Sequence, residues 1–464
     1  MIKIVVAVKL NQGEIGSFDG AALECALSTK NTRVNVVSMS PSSALVQSEY
    51  ITRLGVEEMI LISDEAFKGS DTLVTAKILA RVVQKLNPDI VLCGRQSTDG
   101  DTAQVPAELA EMLGYRFIPY AMDFALDEIQ TRIGRYAVET PCVISIERIK
   151  ELRFASYKSQ KKEVTIIDNS ILGFEKNEVG EKGSPTRVLK SFLSESGRRK
   201  CTFVSAVDVE EIIKNALNKP FSVVSADVGR KKDYKKIKRL LVVGEGLQGV
   251  AEDVSETVIR FDGITVDEIC SFIQRSGIKN VIFKSNLQNR AIAPAVAARL
   301  NAGLCADCIR LETDGEKLFA YRPAATGKII AKIACEGELF MATVREAGET
   351  SNDIVFGIGY GANGYLPQIK AFAERVGAKL AASRKAVDNG LMPYETQTGL
   401  TGKIIKPKVY VAWGISGKIQ HRTGTENSGT VIAINKDKNA EIFDYADYGV
   451  VEDIKNVGGF QKDT

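Results

Sequence analysis

Residues 87–114 read NPDIVLCGRQSTDGDTAQVPAELAEMLG. The run Pro88–Cys93 is continuously apolar, short, and bounded by Asn-Pro and Gly, so it reads as a strand buried on both faces. A polar loop follows. Asp101–Leu113 then shows helical spacing, with Asp101 or Thr102 as N-cap, and stops at Gly114. Residues 279–303, KNVIFKSNLQNRAIAPAVAARLNAG, repeat this order with Pro, Ala and Leu in matching places. KIVVAVK at 3–9 is likewise echoed by RLLVVGE at 239–245. Offsets of roughly 190 to 240 residues are too long for a solenoid and mark two related domains.

Working outward, Ile2–Val8 and Arg33–Met39 are further strands. Asp19–Ser28, capped by Asp19, and Asp71–Leu86 are further helices. Asp168–Lys200 contains EKNEVGEKGSPTR and ESGRRK, which is the composition of a linker or arm. A third run of strands and helices starts near Thr350: Asp353–Ile358, Gly364–Val376, Lys379–Ala382, Lys408–Trp413 and Thr430–Asn435. Short buried strands alternating with amphipathic helices predict an α/β chain of three doubly wound units with mainly parallel sheets. The first two are related by duplication and the third is Rossmann-like. The expected division is 1–167, an arm at 168–200, 201–345 and 346–464.

Composition narrows the function. Net charge is +3, from 61 basic and 58 acidic residues, which argues against nucleic acid as the ligand. No 18-residue apolar stretch is present, so no membrane span is expected, and the N-terminal run has the length of a strand and not of a signal peptide. A cytoplasmic protein is the resulting expectation. Of eight Cys, only Cys305 and Cys308 form C-x-x-C. Without a second pair or a nearby His this reads as structural. His421 is the single His, so a zinc hydrolase or a Ser-His-Asp enzyme has one residue to draw on. Ser416 lies in Gly414-Ile415-Ser416-Gly417, which lacks nucleophile-elbow spacing, and His421 follows on the same helix, which is poor triad geometry.

In a doubly wound sheet ligands bind beyond the carboxyl ends of the strands. The third unit is rich there. Gly414-Ile415-Ser416-Gly417 offers amides and a hydroxyl to an anion. Ser383-Arg384, the turn Gln397-Thr398-Gly399-Leu400-Thr401-Gly402, Asn435 and Asp447 follow other strands. Together they are the donors and the carboxylate that a dinucleotide requires. His421, titrating near neutrality, is expected to stabilise negative charge on the ligand. Gly357, Gly359 and Gly361 form a G-x-G-x-G without the standard spacing.

With SRKAVDNG, QTGLTGKII, VYVAWGISGKIQH, IAINKD and IFDYADYGVVED, residues 379–458 resemble the signature region of the electron transfer flavoprotein alpha subunit. Residues 201–345 resemble its first domain through YRPAATGK and ATVREAGE. Residues 1–200 resemble the beta subunit through VSMSP, LILISD, GRQSTDGDTAQ and GSPTRV. The resemblance is therefore to beta and alpha subunits fused in one chain. It implies FAD on the third unit, with Ser383 and Arg384 beside the flavin and Arg384 stabilising its reduced, anionic forms. It also implies Thr401 at flavin N5, Ser416 and Gln420 at the ring or phosphates, His421 donating to the O2 edge, and Asn435 and Asp447 at the adenosine. Two positions depart from the family. Leu400 stands where Gln is frequent, and the loop within Gly357–Gly361 lacks a usual Arg, which implies one flavin-facing cation fewer.

In the first unit the resemblance implies a nucleotide at the loop Asp99-Gly100-Asp101-Thr102-Ala103-Gln104, with Ala7, Lys9, Ser38, Met39 and Cys93 lining it. AMP and a second FAD both remain open. The D-G-D-T-A-Q wording resembles electron-bifurcating members, whereas the segment Leu10–Ser17 is shorter than theirs. Residues Ile149–Lys162 resemble the partner-recognition loop, with Ile149 or Leu152 as anchor. The implied function is electron transfer from a flavin dehydrogenase of the acyl-CoA dehydrogenase type to another redox acceptor. The alternatives are a bifurcating flavoprotein with two FAD that oxidises NADH, and a nucleotide-binding protein without flavin chemistry.

Overall fold

In the computed structural model, which describes residues 1–11, 14–97, 99–193, 199–218, 235–324, 329–345, 353–399, 402–403, 405–425 and 427–457, the opening apolar run is strand β1 (Ile2–Val8). Its side chains alternate between two cores. Ile4, Val6 and Val8 lie in one apolar cluster, and Val5 and Ala7 in another. A strand that is apolar on both faces needs helices above and below it, and α1 (Ser17–Ser28), α2 (Leu45–Thr52), α3 (Thr72–Leu86) and α4 (Val105–Leu113) supply them. The other strands are β2 (Thr32–Met39), β3 (Glu58–Ile62), β4 (Ile90–Gly94), β5 (Arg116–Ala121), β6 (Glu128–Thr131), β7 (Gly134–Ala137), β8 (Cys142–Ile146) and β9 (Thr165–Ile167). The sheet order is β9-β3-β2-β1-β4-β8-β5-β6-β7.

Two expected helix starts move. Asp101 and Ala103 have φ of 53° and 57°, which a helix cannot contain, so α4 begins at Val105 with Pro106 in its first turn. Neither Asp101 nor Thr102 caps it. Asp19 lies inside α1 and is buried.

The duplication is visible in the backbone. A second sheet contains β11 (Ile237–Val243), β12 (Ser255–Phe261), β13 (Asn280–Lys284), β14 (Gly303–Cys308) and β18 (Phe340–Val344), preceded in sequence by β10 (Thr186–Leu193). Its order, β12-β11-β13-β18-β14, repeats β2-β1-β4-β8-β5. Both copies carry the same irregularity. Tyr120 in β5 has φ 58° and donates its N–H to Ser145 Oγ at 2.8 Å. Asp307 in β14 has φ 59° and donates to Thr343 Oγ1 at 2.7 Å. The helices after β4 and β13 also correspond. On α4 and α5 (Leu287–Arg299), Glu111 and Arg299 occupy matching places and form an ion pair at 2.6 Å. Strands β15 (Arg310–Thr313), β16 (Leu318–Ala324) and β17 (Ile329–Cys335) complete a four-stranded sheet of order β10-β17-β16-β15.

The chain divides into two compact units, the two related sheets lying in the first: Met1–Ser191 with Asp233–Ala325 and Ile330–Glu346, and Phe192–Lys232 with Thr326–Ile329 and Ala347–Thr464. The expected arm at 168–200 is largely built into the first unit. Asp71 takes the Thr186 N–H at 3.0 Å, and Ser184 Oγ accepts the Asp71 N–H at 2.8 Å. Residues 201–217, expected at the start of the second domain, belong to the other unit. The helix Val209–Leu217 buries Val209, Ile213 and Ala216 in that unit's core. Its apolar stripe announces a covered face without saying which surface covers it.

The second unit contains β19 (Ile354–Ile358), β20 (Lys379–Ala382), β21 (Val409–Trp413), β22 (Thr430–Ile434) and β23 (Tyr448–Val450). The pair Thr202–Phe203 adds an edge strand, giving the order Thr202–Phe203, β23, β22, β21, β19, β20. Helix α6 (Leu366–Val376) covers one face through an aromatic cluster. Phe356 and Trp413 have ring centroids 5.4 Å apart, and Phe372 stands edge-on to Trp413 at 5.8 Å. All three are fully buried. All eight Cys are free, and among the described residues no group of His, Cys, Asp and Glu is arranged for a metal ion. No described helix is long and apolar enough to cross a membrane. Phe372→Ala should destabilise the second unit by about 3–5 kcal/mol, read as a lower urea midpoint in the emission of Trp413, the single Trp.

Candidate functional site

In the second unit the chain passes from β19 to β20 on one side, then crosses to β21 and continues outward through β22 and β23. The order reverses between β19 and β21, and this opens a crevice beyond their carboxyl ends. Two glycine-containing loops meet there, backbone on backbone. Gly359 N–H donates to Trp413 O at 2.8 Å, and Gly361 N–H to Gly414 O at 3.2 Å. A Cβ on Gly359 would fall inside the van der Waals shell of Gly414 O. The G-x-G-x-G of 357–361 therefore works first as a close-approach device.

The neighbouring loops interlock with this pair. Thr398 N–H donates to Ala382 O at 2.8 Å, extending the end of β20. Gln397 and Thr398 are buried. Gly399 (φ 134°) packs on the backbone of Gln420 and His421, and Gly424 on Gly399. Ser383 caps α7 (Arg384–Asp388) by accepting the Ala386 N–H at 3.3 Å. Arg384 Nε donates to Asp388 Oδ2 at 3.2 Å. Asn435 Nδ2 holds Ile415 O at 2.9 Å, so this Asn ties two ligand-edge loops together. Thr401 and Leu400 lie outside the described residues.

Ser416 and Gln420 are exposed, and among the described residues their side chains have no hydrogen-bond partner. Lys418, between them, pairs with Glu441. A cradle of backbone at a sheet reversal, presenting a free hydroxyl and amide beside basic side chains, fits the phosphates and polar edge of a dinucleotide such as FAD.

His421 is not free for such a ligand. It begins its role in α8 (Ile419–Arg422) and is buried. Its Nδ1 lies 3.1 Å from Thr398 O. A carbonyl only accepts, so Nδ1 carries the proton and Nε2 accepts from the Tyr410 hydroxyl at 2.6 Å. Tyr410 in turn lies over Gly357, where any Cβ would collide with its Oη. Burial pushes the imidazole down to about 4, the Thr398 carbonyl opposing. The expected titration near neutrality is thus replaced by a neutral ring that fastens α8 to the 397–399 turn.

Asp447 also departs from expectation. It precedes β23, at the amino edge of the sheet, opposite the crevice. It accepts the Val431 N–H at 2.8 Å and pairs with Arg199. At the carboxyl edge, just beyond β23, stands Asp453, which accepts the Lys455 N–H at 3.1 Å. That backbone bond, with help from the Tyr365 hydroxyl, holds its carboxyl below the usual range. Its place in the sequence, three residues past a strand end, was the available signal.

In the first unit the reversal lies between β1 and β4. Lys9 and Asp99 close it with an ion pair at 2.6 Å. Asp19 takes the Lys9 N–H at 2.9 Å, and burial raises its carboxyl to about 7. Ser38 is buried and shares a hydrogen bond of 2.9 Å with Ser40. Ala7 and Cys93 are buried, and burial pushes the Cys93 thiol up. Met39 and Thr102 are half-buried. Gln104 is committed to protein: Oε1 accepts from Thr72 at 3.0 Å and Nε2 donates to Leu304 O at 2.9 Å. Asp101 accepts from Gln96 Nε2 at 3.0 Å. Lys9 and Asp99 are exposed and Thr102 is half-buried.

The depressed pKa of His421 has a measurable consequence. Between about 6.5 and 4 the unfolded chain binds a proton that the folded chain refuses, so stability falls as pH falls through this window, by about 3 kcal/mol in all. His421→Asn should flatten this segment of the urea-midpoint profile. Gly357→Ala should displace Tyr410 and weaken the second unit even at pH 7, measured by the same transition.

The electron transfer flavoprotein domain matches residues 4–169 and 263–364, and the electron transfer flavoprotein FAD-binding domain matches 350–426. Protein FixB of Clostridium saccharobutylicum is 34% identical over 268 residues, 46% of this chain and 80% of that protein. The electron transfer flavoprotein subunit beta of Thermoanaerobacterium thermosaccharolyticum is 34% identical over 218 residues, 43% of this chain and 83% of the subunit. The alpha subunit from the same organism is 35% identical over 223 residues, 38% of this chain and 68% of the subunit. The chain belongs to the electron transfer flavoprotein family, with beta-like and alpha-like parts joined in one polypeptide.

Proposed function

We propose that the second unit holds FAD in the β19/β21 crevice and that the chain carries electrons from a dehydrogenase of the acyl-CoA dehydrogenase type to another redox protein. The observation that carries this reading is the unpartnered Ser416 and Gln420 at a sheet reversal, within the stretch that matches the FAD-binding domain. Bound FAD supplies the one- and two-electron chemistry. Ser416, Gln420 and the amides of the Gly414 loop bind it, together with Ser383, Arg384 and Thr401. Asn435 and His421 act at one remove by fixing the loops. Asp453, in place of Asp447, serves the ribose end. In the first unit we propose AMP at the Lys9–Asp99 crevice.

A partner docks on residues 149–162, through different side chains from those expected. Ile149 and Leu152 turn inward and pack against the first core. Phe154 and Tyr157 point outward, 91% and 92% exposed. The loop that carries them is pinned on both sides. Arg153 bonds Glu24 at 2.7 Å, Arg53 holds Ser156 O at 3.2 Å, and the Lys162 N–H meets Thr52 at 3.0 Å. Two aromatics held on a rigid, Lys-rich loop suit an apolar pocket with an acidic rim, because little ordering cost remains at docking.

Release of bound nucleotides from the purified chain should yield one FAD and one AMP per chain. Two FAD with reduction by NADH would establish the bifurcating alternative. A colourless protein without FAD would overturn the proposal. Phe154→Ala with Tyr157→Ala should leave FAD content unchanged and slow electron uptake from an acyl-CoA dehydrogenase at least tenfold, measured by flavin bleaching.

A further inference from the structure

Tyr360 stands between Gly359 and Gly361, both bonded to the Trp413–Gly414 backbone. It lies just past the carboxyl end of β19, where the crevice opens, and the residue is 40% exposed. Lys385 sits on its ring, Nζ 5.2 Å from the centroid. It is the second residue of α7, at the end of β20, and Ile358 of β19 pairs with Ala382 of β20, so the two loops are adjacent by register.

The two neighbouring cations of α7 are not equivalent. Arg384 is paired with Asp388 at 3.2 Å, which offsets its charge locally. Among the described residues no carboxylate pairs with Lys385. Among the described residues the one partner of its ammonium is an exposed aromatic face. That contact is weak, and weaker than a charge-assisted hydrogen bond to an anion. The ring limits the wandering of a flexible lysine without neutralising it, which is how a cation is preorganised for an incoming negative charge.

We propose that Lys385, perched on Tyr360, is a further cation, beyond Arg384, that this chain presents to the negative charge of the flavin nucleotide at the crevice mouth. The proposal rests on the FAD reading above. The charge it meets is either the pyrophosphate or the ring once reduced, and the two are separable by experiment.

The full chain would be stripped of flavin and reconstituted with FAD as wild type, Lys385→Gln, Lys385→Arg and Tyr360→Leu. Affinity for oxidised FAD and the two-electron midpoint potential would then be measured at low salt. If the charge is pyrophosphate, Lys385→Gln binds oxidised FAD about 3–10-fold more weakly, and the gap narrows at high salt. If it is the reduced ring, affinity for oxidised FAD holds while the potential falls by about 15–30 mV, the same 3–10-fold expressed for a two-electron couple. In either case Lys385→Arg stays near wild type and Tyr360→Leu shifts in the same direction as Lys385→Gln. Lys385 is exposed, so its variants should fold, with Trp413 emission as the check. A Lys385→Gln protein equal to wild type in both affinity and potential overturns the inference. A wild-type chain that binds no FAD overturns the FAD reading itself.

Discussion

The Tyr410 phenol spans the second unit's sheet edge: it lies against Gly357 and ends on His421 Nε2, while His421 Nδ1 reaches Thr398 O. One line of contact thus joins β19, β21, α8 and the 397–399 turn. Each member constrains the next. A side chain at 357 would expel the phenol, and a missing phenol would leave a buried imidazole nitrogen without a partner, which is costly. The loops that present Ser416 and Gln420 keep their positions because this line is satisfied entirely within the protein.

The first unit solves a different problem, the joining of two similar sheets. Equivalent helices α4 and α5 pack together, and like charges at matching places would repel. Glu111 against Arg299 replaces repulsion with attraction. Divergence also separated the buried centres. Glu147 lies between Arg95, at 3.1 Å, and Arg132, at 2.7 Å. The corresponding place in the second copy holds Arg345 against Asp307, whose carboxyl three charged or polar partners keep far below its usual range despite burial. Removing one partner from such a cluster strands a buried charge, whereas the intact cluster is tolerated.

Much of the architecture is legible in the sequence. Strands such as Ile90–Gly94 and Val409–Trp413 are continuous apolar runs, and the two copies of strand, loop and helix were visible as text. The loops at 383–384, 397–399 and 414–420 were recognisable because glycines and short polar residues concentrate where strands end. Sequence and structure part where one residue type serves two purposes. Asp447 has the composition of a ribose ligand and the position of an anchor for Arg199. Ile149 and Leu152 look like docking anchors because they are apolar, yet it is their apolarity that draws them into the core and leaves Phe154 and Tyr157 outside.

By itself the sequence determined the alternation of strands and helices, the duplication, and the sheet edge that carries the ligand loops, because hydrophobic periodicity and glycine placement are local properties of the chain. Only the tertiary structure decided that residues 201–217 join the flavin unit, that His421 is neutral and occupied, that Asp453 and not Asp447 stands at the carboxyl edge, and that Lys385 rests on Tyr360. These depend on which distant surfaces meet, and on how much water is left between them. Both are properties of packing that no single stretch of sequence contains.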